Sequence, residues 1–309
     1  MTGEPVSRVV GDPRFERLVP ATARVTALAG GAIWAEGPVY LPADDAVIWS
    51  DVRGNVVRRW TEATGARDLY RPSDFANGHT LDHDGRVLAC EHGPRRISRY
   101  EPDGSRTTIV DRYQGHRLNS PNDIVVASDR AIWFTDPPYG ILDDTEGYRA
   151  DSELEGCFVF RFDRGSGELT VASDAVLHPN GLAFSPDETT LYVSDTSIAR
   201  VDGGNHHIVA FDVVDRRTLA APHVFKVMEP GVSDGLRVDV EGNVWTSAGD
   251  GIHVLAPDAV ELGRILLPEE ASNCTFGGPD GRRLFITATS TLWSIEVGVR
   301  GAVTPWVDA

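Results

Sequence analysis

Apolar and polar residues alternate with the period of strands along almost the whole chain. Arg24-Val25-Thr26-Ala27-Leu28-Ala29 alternates polar with apolar and is broken by Gly30-Gly31. Trp34 to Tyr40 follows, then a turn at Pro42 to Asp45 and an apolar run from Ala46 to Asp51. Asn55 to Trp60 and Ala66 to Tyr70 complete four short strands in about 40 residues. No segment of 12 or more residues holds a capped 3.6-residue period, so the pattern predicts an all-β fold.

The same unit then recurs. Asn77-Gly78 leads through Asp84-Gly85 to Arg86–Cys90, and Asn122-Asp123 leads to Ala131–Asp136. Asn180-Gly181 leads through Pro186-Asp187 to Thr190–Asp195, and Asp234-Gly235 leads through Glu241-Gly242 to Asn243–Ser247. Asn273 leads through Asp280-Gly281 to Arg283–Thr287. With Glu36, the polar heads of these units stand 41, 45, 58, 54 and 39 residues apart. Four-stranded repeats of this period, with D-G and E-G hairpin turns, predict a six-bladed β-propeller with four-stranded blades around a central channel. The longer intervals predict loop insertions at Leu142–Glu155 and Val201–His207. Residues 1–20 read as an N-terminal tail or packed arm, and 21–309 as one propeller domain. Arg24–Ala29 is expected to close the ring as the outer strand of the last blade, in preference to Ala302–Val307.

Composition narrows the partners. The 309 residues carry 29 basic and 46 acidic side chains, a formal charge of −17. That balance argues against nucleic acid and anionic membranes, which need clustered Lys and Arg. Three widely spaced cysteines, Cys90, Cys157 and Cys274, read as free thiols of a reducing compartment. The charged N-terminal stretch is not a signal peptide, and a cytoplasmic monomer or small homo-oligomer is expected.

In a propeller, equivalent positions at the ends of the innermost strands face one another across the axis. Glu36, Asn77, Asn122, Asn180, Asp234 and Asn273 would so bring two carboxylates and four amides together. Such an all-oxygen set suits a hard divalent cation: Ca2+, Mg2+ or Mn2+. Zn2+ more often recruits His or Cys. Asn and Asp beside Gly are also ordinary turn residues, and Asn77 and Asn273 are the heads that this alternative fits best. His79, His92 and His178 each stand near a head or the end of a second strand. Each could be a general base, a substrate donor or a hydrogen-bonded structural histidine. Asp136 reads first as a turn cap. No G-x-S-x-G run supports a serine nucleophile.

The strings AEGPVY (from Ala35), NSPNDIVV (from Asn119) with IWFTDPPYG (from Ile132), HPNGLAFSPDETTLYVSDT (from His178) and SDGLRVD (from Ser233) resemble the gluconolactonase and regucalcin family, and its bacterial gluconolactonase branch in particular. The resemblance spans about Trp34 to Thr287. It implies a six-bladed propeller with a divalent metal in the channel, expected to be Ca2+ with Mg2+, Mn2+ or Zn2+ as alternatives. By motif it implies Glu36, Asn180 and Asp234 as metal ligands, Asn122 as a contact to metal or substrate, and Asp234 as the acid–base or nucleophilic group. Ser120 stands where the regucalcin branch has an arginine. Arg117 is nearby and joins Asn122 and His79 as a candidate substrate contact. The implied activity is hydrolysis of a small sugar lactone, a carboxylic-ester hydrolase reaction. A phosphotriester hydrolase on the same metal site and a non-catalytic propeller braced by its metal are the alternatives.

Overall fold

The computed structural model describes residues 3–302. Six antiparallel sheets form the blades of a propeller. The inner strands are Ala35–Leu41, Ala76–Leu81, Ile124–Val126, Pro179–Phe184, Leu236–Val238 and Ala271–Gly277, in blades one to six. The second strands, Ala46–Asp51, Val87–Glu91, Ile132–Asp136, Thr190–Asp195, Val244–Ala248 and Arg283–Ala288, follow each inner strand through a short turn.

The ring closes with strands from the two ends of the chain. Arg24–Ala29 pairs antiparallel with Thr291–Glu296 and supplies the outer strand of blade six. Of the rival closure segment, residues 303–307 lie outside the described residues. The arm before it is built in more firmly than its sequence suggests. Ser7–Val10 adds a fifth strand to blade five by pairing with Glu261–Leu266, and Glu4–Pro5 pairs with Arg24 and Val25. Phe15 and Leu18, on a single helical turn, are buried among Trp245, Ile252 and Ile286. A Cβ on Gly263 would lie 2.5 Å from the Phe15 ring, so the glycine makes room for that anchor.

Burial follows the blade interfaces. One apolar cluster lies between each pair of neighbouring blades. Leu88, Ile97, Ile124 and Phe134 join blades two and three, and Val47, Trp49, Phe285 and Leu292 join six and one. Trp133 and Trp245 sit at matching places on their second strands, Trp49 faces the other side of its own, and all three are fully buried. Rings of this size contribute several kcal/mol each through the apolar area they remove from water. No helix among the described residues is long and apolar enough to cross a membrane.

Candidate metal centre and channel

The inner strands do not enter the channel as regular ladders. Pairing with the second strand slips between Glu36 and Val39, Ala76 and His79, Pro179 and Leu182, and Ala271 and Asn273. A β-bulge re-aims the side chain where it occurs, and in four blades it falls on the head. Gly37 shows the cost of this turn: its φ is +56°, and a Cβ there would lie 2.0 Å from the Asn77 carbonyl.

The heads are laced into one circle. Ser50 Oγ donates to Asn77 O at 2.9 Å, Gly78 N to Asn122 O at 2.9 Å, and Thr135 Oγ1 to Asn180 O at 2.7 Å. Gly181 N donates to Asp234 O at 2.9 Å, Gly235 N to Ser272 O at 2.7 Å, and Ser272 Oγ to Ala35 O at 2.6 Å. Each blade therefore bonds the next at the level of the heads, and blade six returns to blade one.

The side chains that these bonds leave free are oxygens. Glu36 is 3% exposed; its Oε2 accepts from Gly37 N and from Asn273 Nδ2, while Oε1 is buried with no partner. Asn180 spends its Nδ2 on Thr196 Oγ1 at 3.1 Å, which leaves its side-chain Oδ1 without a hydrogen bond among the described residues. The side chains of Asn122 and Asp234 make no hydrogen bond among the described residues, and Asn77 Oδ1 is buried and unpartnered. Burial pushes the Glu36 carboxyl up from its usual range, with the Asn273 hydrogen bond opposing. Burial, and then the charge of Glu36, push Asp234 up as well. Two buried carboxylates, both pushed toward the neutral form, beside orphaned amide oxygens fit a divalent cation, whose charge would favour ionisation of both. Among the described residues no three His, Cys, Asp or Glu side chains form a metal cluster, so the set is the one above, with amides completing it.

Residues 34–290 match the family described as SMP-30/Gluconolactonase/LRE-like region. The chain belongs to this family. It is 31% identical to a gluconolactonase of Zymomonas mobilis, over 97% of this chain and 89% of that one. It is 30% identical to pentonolactonase XacC of Haloferax volcanii, over 82% of this chain and 80% of the relative. Among solved structures, a gluconolactonase from Xanthomonas campestris superposes with a TM-score of 0.89 at 39% identity, covering 96% of this chain and 97% of that one.

In this SMP-30/gluconolactonase propeller the mouth beside the heads is shaped by the insertion after Asp136. Ser120 is fully buried beneath it: its Oγ donates to Pro137 O at 2.6 Å and accepts from Gly140 N at 2.9 Å. Ser120 thus ties down the insertion. Tyr139 OH bonds Thr196, the same threonine that holds Asn180, and its ring meets His178 edge-on. Asn77 Nδ2 donates to His92 Nε2 at 3.3 Å, which leaves the His92 proton on Nδ1, donating to Glu146 O at 2.9 Å. Burial lowers the pKa of His92 and favours this neutral form.

The other candidates lie apart from the heads. His79 is buried below Asn77. Its Nδ1 donates to Gly37 O at 2.8 Å and its Nε2 accepts from Tyr100 OH at 3.3 Å. Burial lowers its pKa to about 4, so it is a neutral brace between blades one and two. Arg117 lies on a short hairpin, Arg112–Arg117, that the repeat pattern did not announce. Its guanidinium donates to Pro94 O at 2.8 Å, and its backbone N to Glu153. Asp136 is a cap: its Oδ2 accepts from Asn119 N at 2.7 Å, and burial raises it to about 7.

Two channel residues escaped the sequence reading. Asp123, next to Asn122, pairs at 3.2 Å with Arg237, three residues past Asp234. Arg237 also lines a cavity of about 760 Å3 at the opposite mouth, walled by Val39, Leu81, Val126, Phe184 and Phe276. Asp187, Glu188 and Arg216 also line it, so its walls are both apolar and charged, and none of the six heads is among its lining residues.

Proposed function

We propose that this protein is a metal-dependent lactonase that opens a sugar lactone of the gluconolactone type to its hydroxy acid. The observation that carries the reading is the set of head oxygens without hydrogen-bond partners, from Glu36, Asn122, Asn180 and Asp234 at the head ends of their inner strands, in a chain whose relatives include a gluconolactonase and a pentonolactonase. Glu36, Asn180 and Asp234 would hold the cation, expected to be Ca2+, with Asn122 shared between cation and substrate. A divalent ion bound there supplies Lewis-acid polarisation of the lactone carbonyl and balances the negative charge that develops on its oxygen.

The remaining work falls to the chain itself. Asp234 has a carboxylate free of protein partners and is the residue that orients the attacking water and handles its proton. Thr196 fixes the Asn180 amide so that its oxygen, not its nitrogen, faces the site. His92 does the same for Asn77. The Ser120 clamp keeps the insertion in place over the mouth, which limits water and shapes the space for the ring.

Parallel rates on a gluconolactone and on a phosphotriester test the substrate class. Lactone turnover should dominate, and Asp234→Asn should abolish it while the fold is kept. Dominant phosphotriester turnover, or full lactone turnover in Asp234→Asn, would contradict the proposal.

A further inference from the structure

Along the six inner strands and their heads the charged side chains are Glu36, Asp123, Asp234 and Arg237. Asp123 is 1% exposed. Its Oδ1 accepts from Ile124 N at 2.8 Å, and its Oδ2 lies 3.2 Å from Arg237 Nη1. The arginine comes from blade five and the aspartate from blade three, so the pair reaches past blade four inside the channel. Arg237 Nη1 also donates to the Leu236 carbonyl at 2.7 Å, which holds the guanidinium in place. Any cation at the heads therefore shares its channel with a fixed positive charge one layer below.

This arrangement presents a problem of charge. Three ionised carboxylates in a low-dielectric channel would call for more than one divalent ion, or for a trivalent one. One guanidinium reduces the deficit of these strands from three charges to two, the charge of a single divalent cation; Glu146 and Glu270 also bear on Asp234, but the first is paired with Arg53 and the second is exposed to solvent. We infer that Arg237 is a built-in cation that sets the valence of the site: it matches the channel to one divalent ion and disfavours a trivalent one. Arg237 acts through the field it shares with Asp123 and touches neither substrate nor ion. The role rests on the cation proposed above.

The test is a calorimetric titration of chelator-stripped protein with Ca2+ and, separately, Tb3+. The proteins are the wild type, Arg237→Met, Asp123→Asn and the double variant. With Glu36 and Asp234 ionised, their channel charges are −2, −3, −1 and −2. Ca2+ affinity should rise about tenfold or more in Arg237→Met, fall about tenfold or more in Asp123→Asn, and return near the wild-type value in the double variant. The preference for Tb3+ over Ca2+ should follow the same order. If Arg237→Met fails to fold, Asp123→Asn and the double variant still carry the ordering. Folded variants whose affinities ignore charge, or in which Arg237→Met and Asp123→Asn shift the same way, would overturn the role of Arg237. A wild type that takes up neither ion would overturn the cation proposal itself.

Discussion

Asn273 Nδ2 donates to Glu36 Oε2 at 3.0 Å, across 237 positions of sequence. The bond joins the last blade to the first at the level of the heads. It also fixes which Glu36 oxygen remains free, because Oε2 is occupied and Oε1 is not. In sequence Asn273 is one of the two heads that best fit the alternative of an ordinary turn residue, and it does accept from Cys274 N at 2.8 Å. The structure gives it a second task, as the partner that orients a buried carboxylate.

Asn273→Ala should cost about 1–3 kcal/mol, the range for leaving a buried hydrogen-bond partner unsatisfied. Chemical denaturation of the metal-free protein measures it. Asn273→Asp should cost more, since it places a third carboxylate against Glu36.

The buried tryptophans should not be equivalent. Trp245 Nε1 donates to Asp239 Oδ2 at 2.9 Å, whereas Trp133 Nε1 has no partner. Trp→Phe at either site removes similar apolar volume. Trp245→Phe should therefore destabilise by roughly 1 kcal/mol more than Trp133→Phe, because only it breaks a hydrogen bond. Equal losses in parallel denaturation curves would refute the distinction.

How much of this was legible in the sequence depends on distance along the chain. The heads could be seen because each repeat carries its own copy. Arg24–Ala29 could be matched to blade six because every blade needs a fourth strand. Asp123 and Arg237 could not be paired, because their meeting requires the ring to close and no local pattern records it. The placement of His79 was hidden for a different reason: the bulge between Ala76 and His79 breaks the simple alternation by which residues two apart share a face. Phe15 and Leu18 lie in a stretch too short and too charged to announce a core anchor, and the room for them comes from distant glycines, Gly263 beside the Phe15 ring and Gly298 beside the Arg17–Leu18 backbone.

His79 should give the fold an acid-sensitive component. Its folded pKa, about 4, lies below the ordinary value of 6.5. An imidazole depressed in this way binds fewer protons folded than unfolded. Its stabilisation is therefore complete above pH 6.5 and is lost as pH falls from 6.5 through 4. The loss should be on the order of 3 kcal/mol. His79→Gln should flatten the stability profile between pH 6.5 and 4, and an unchanged slope would show that other groups set it.

The Ser120 clamp predicts a local effect. Ser120→Ala removes the bonds to Pro137 O and Gly140 N, and the amides of Gly140 and Ile141 should exchange hydrogen faster while those of the blades do not. KM for the lactone should rise more than kcat falls, because the mouth loosens and the heads stay in place.

The most direct test of the central claim is one titration with two readouts. Metal-free protein is supplied with Ca2+ in steps while bound ion and acid release from a gluconolactone are followed together. Turnover should be near background at the start, rise in proportion to occupancy, and level off at one ion per chain. Full turnover before any ion is added would contradict the account.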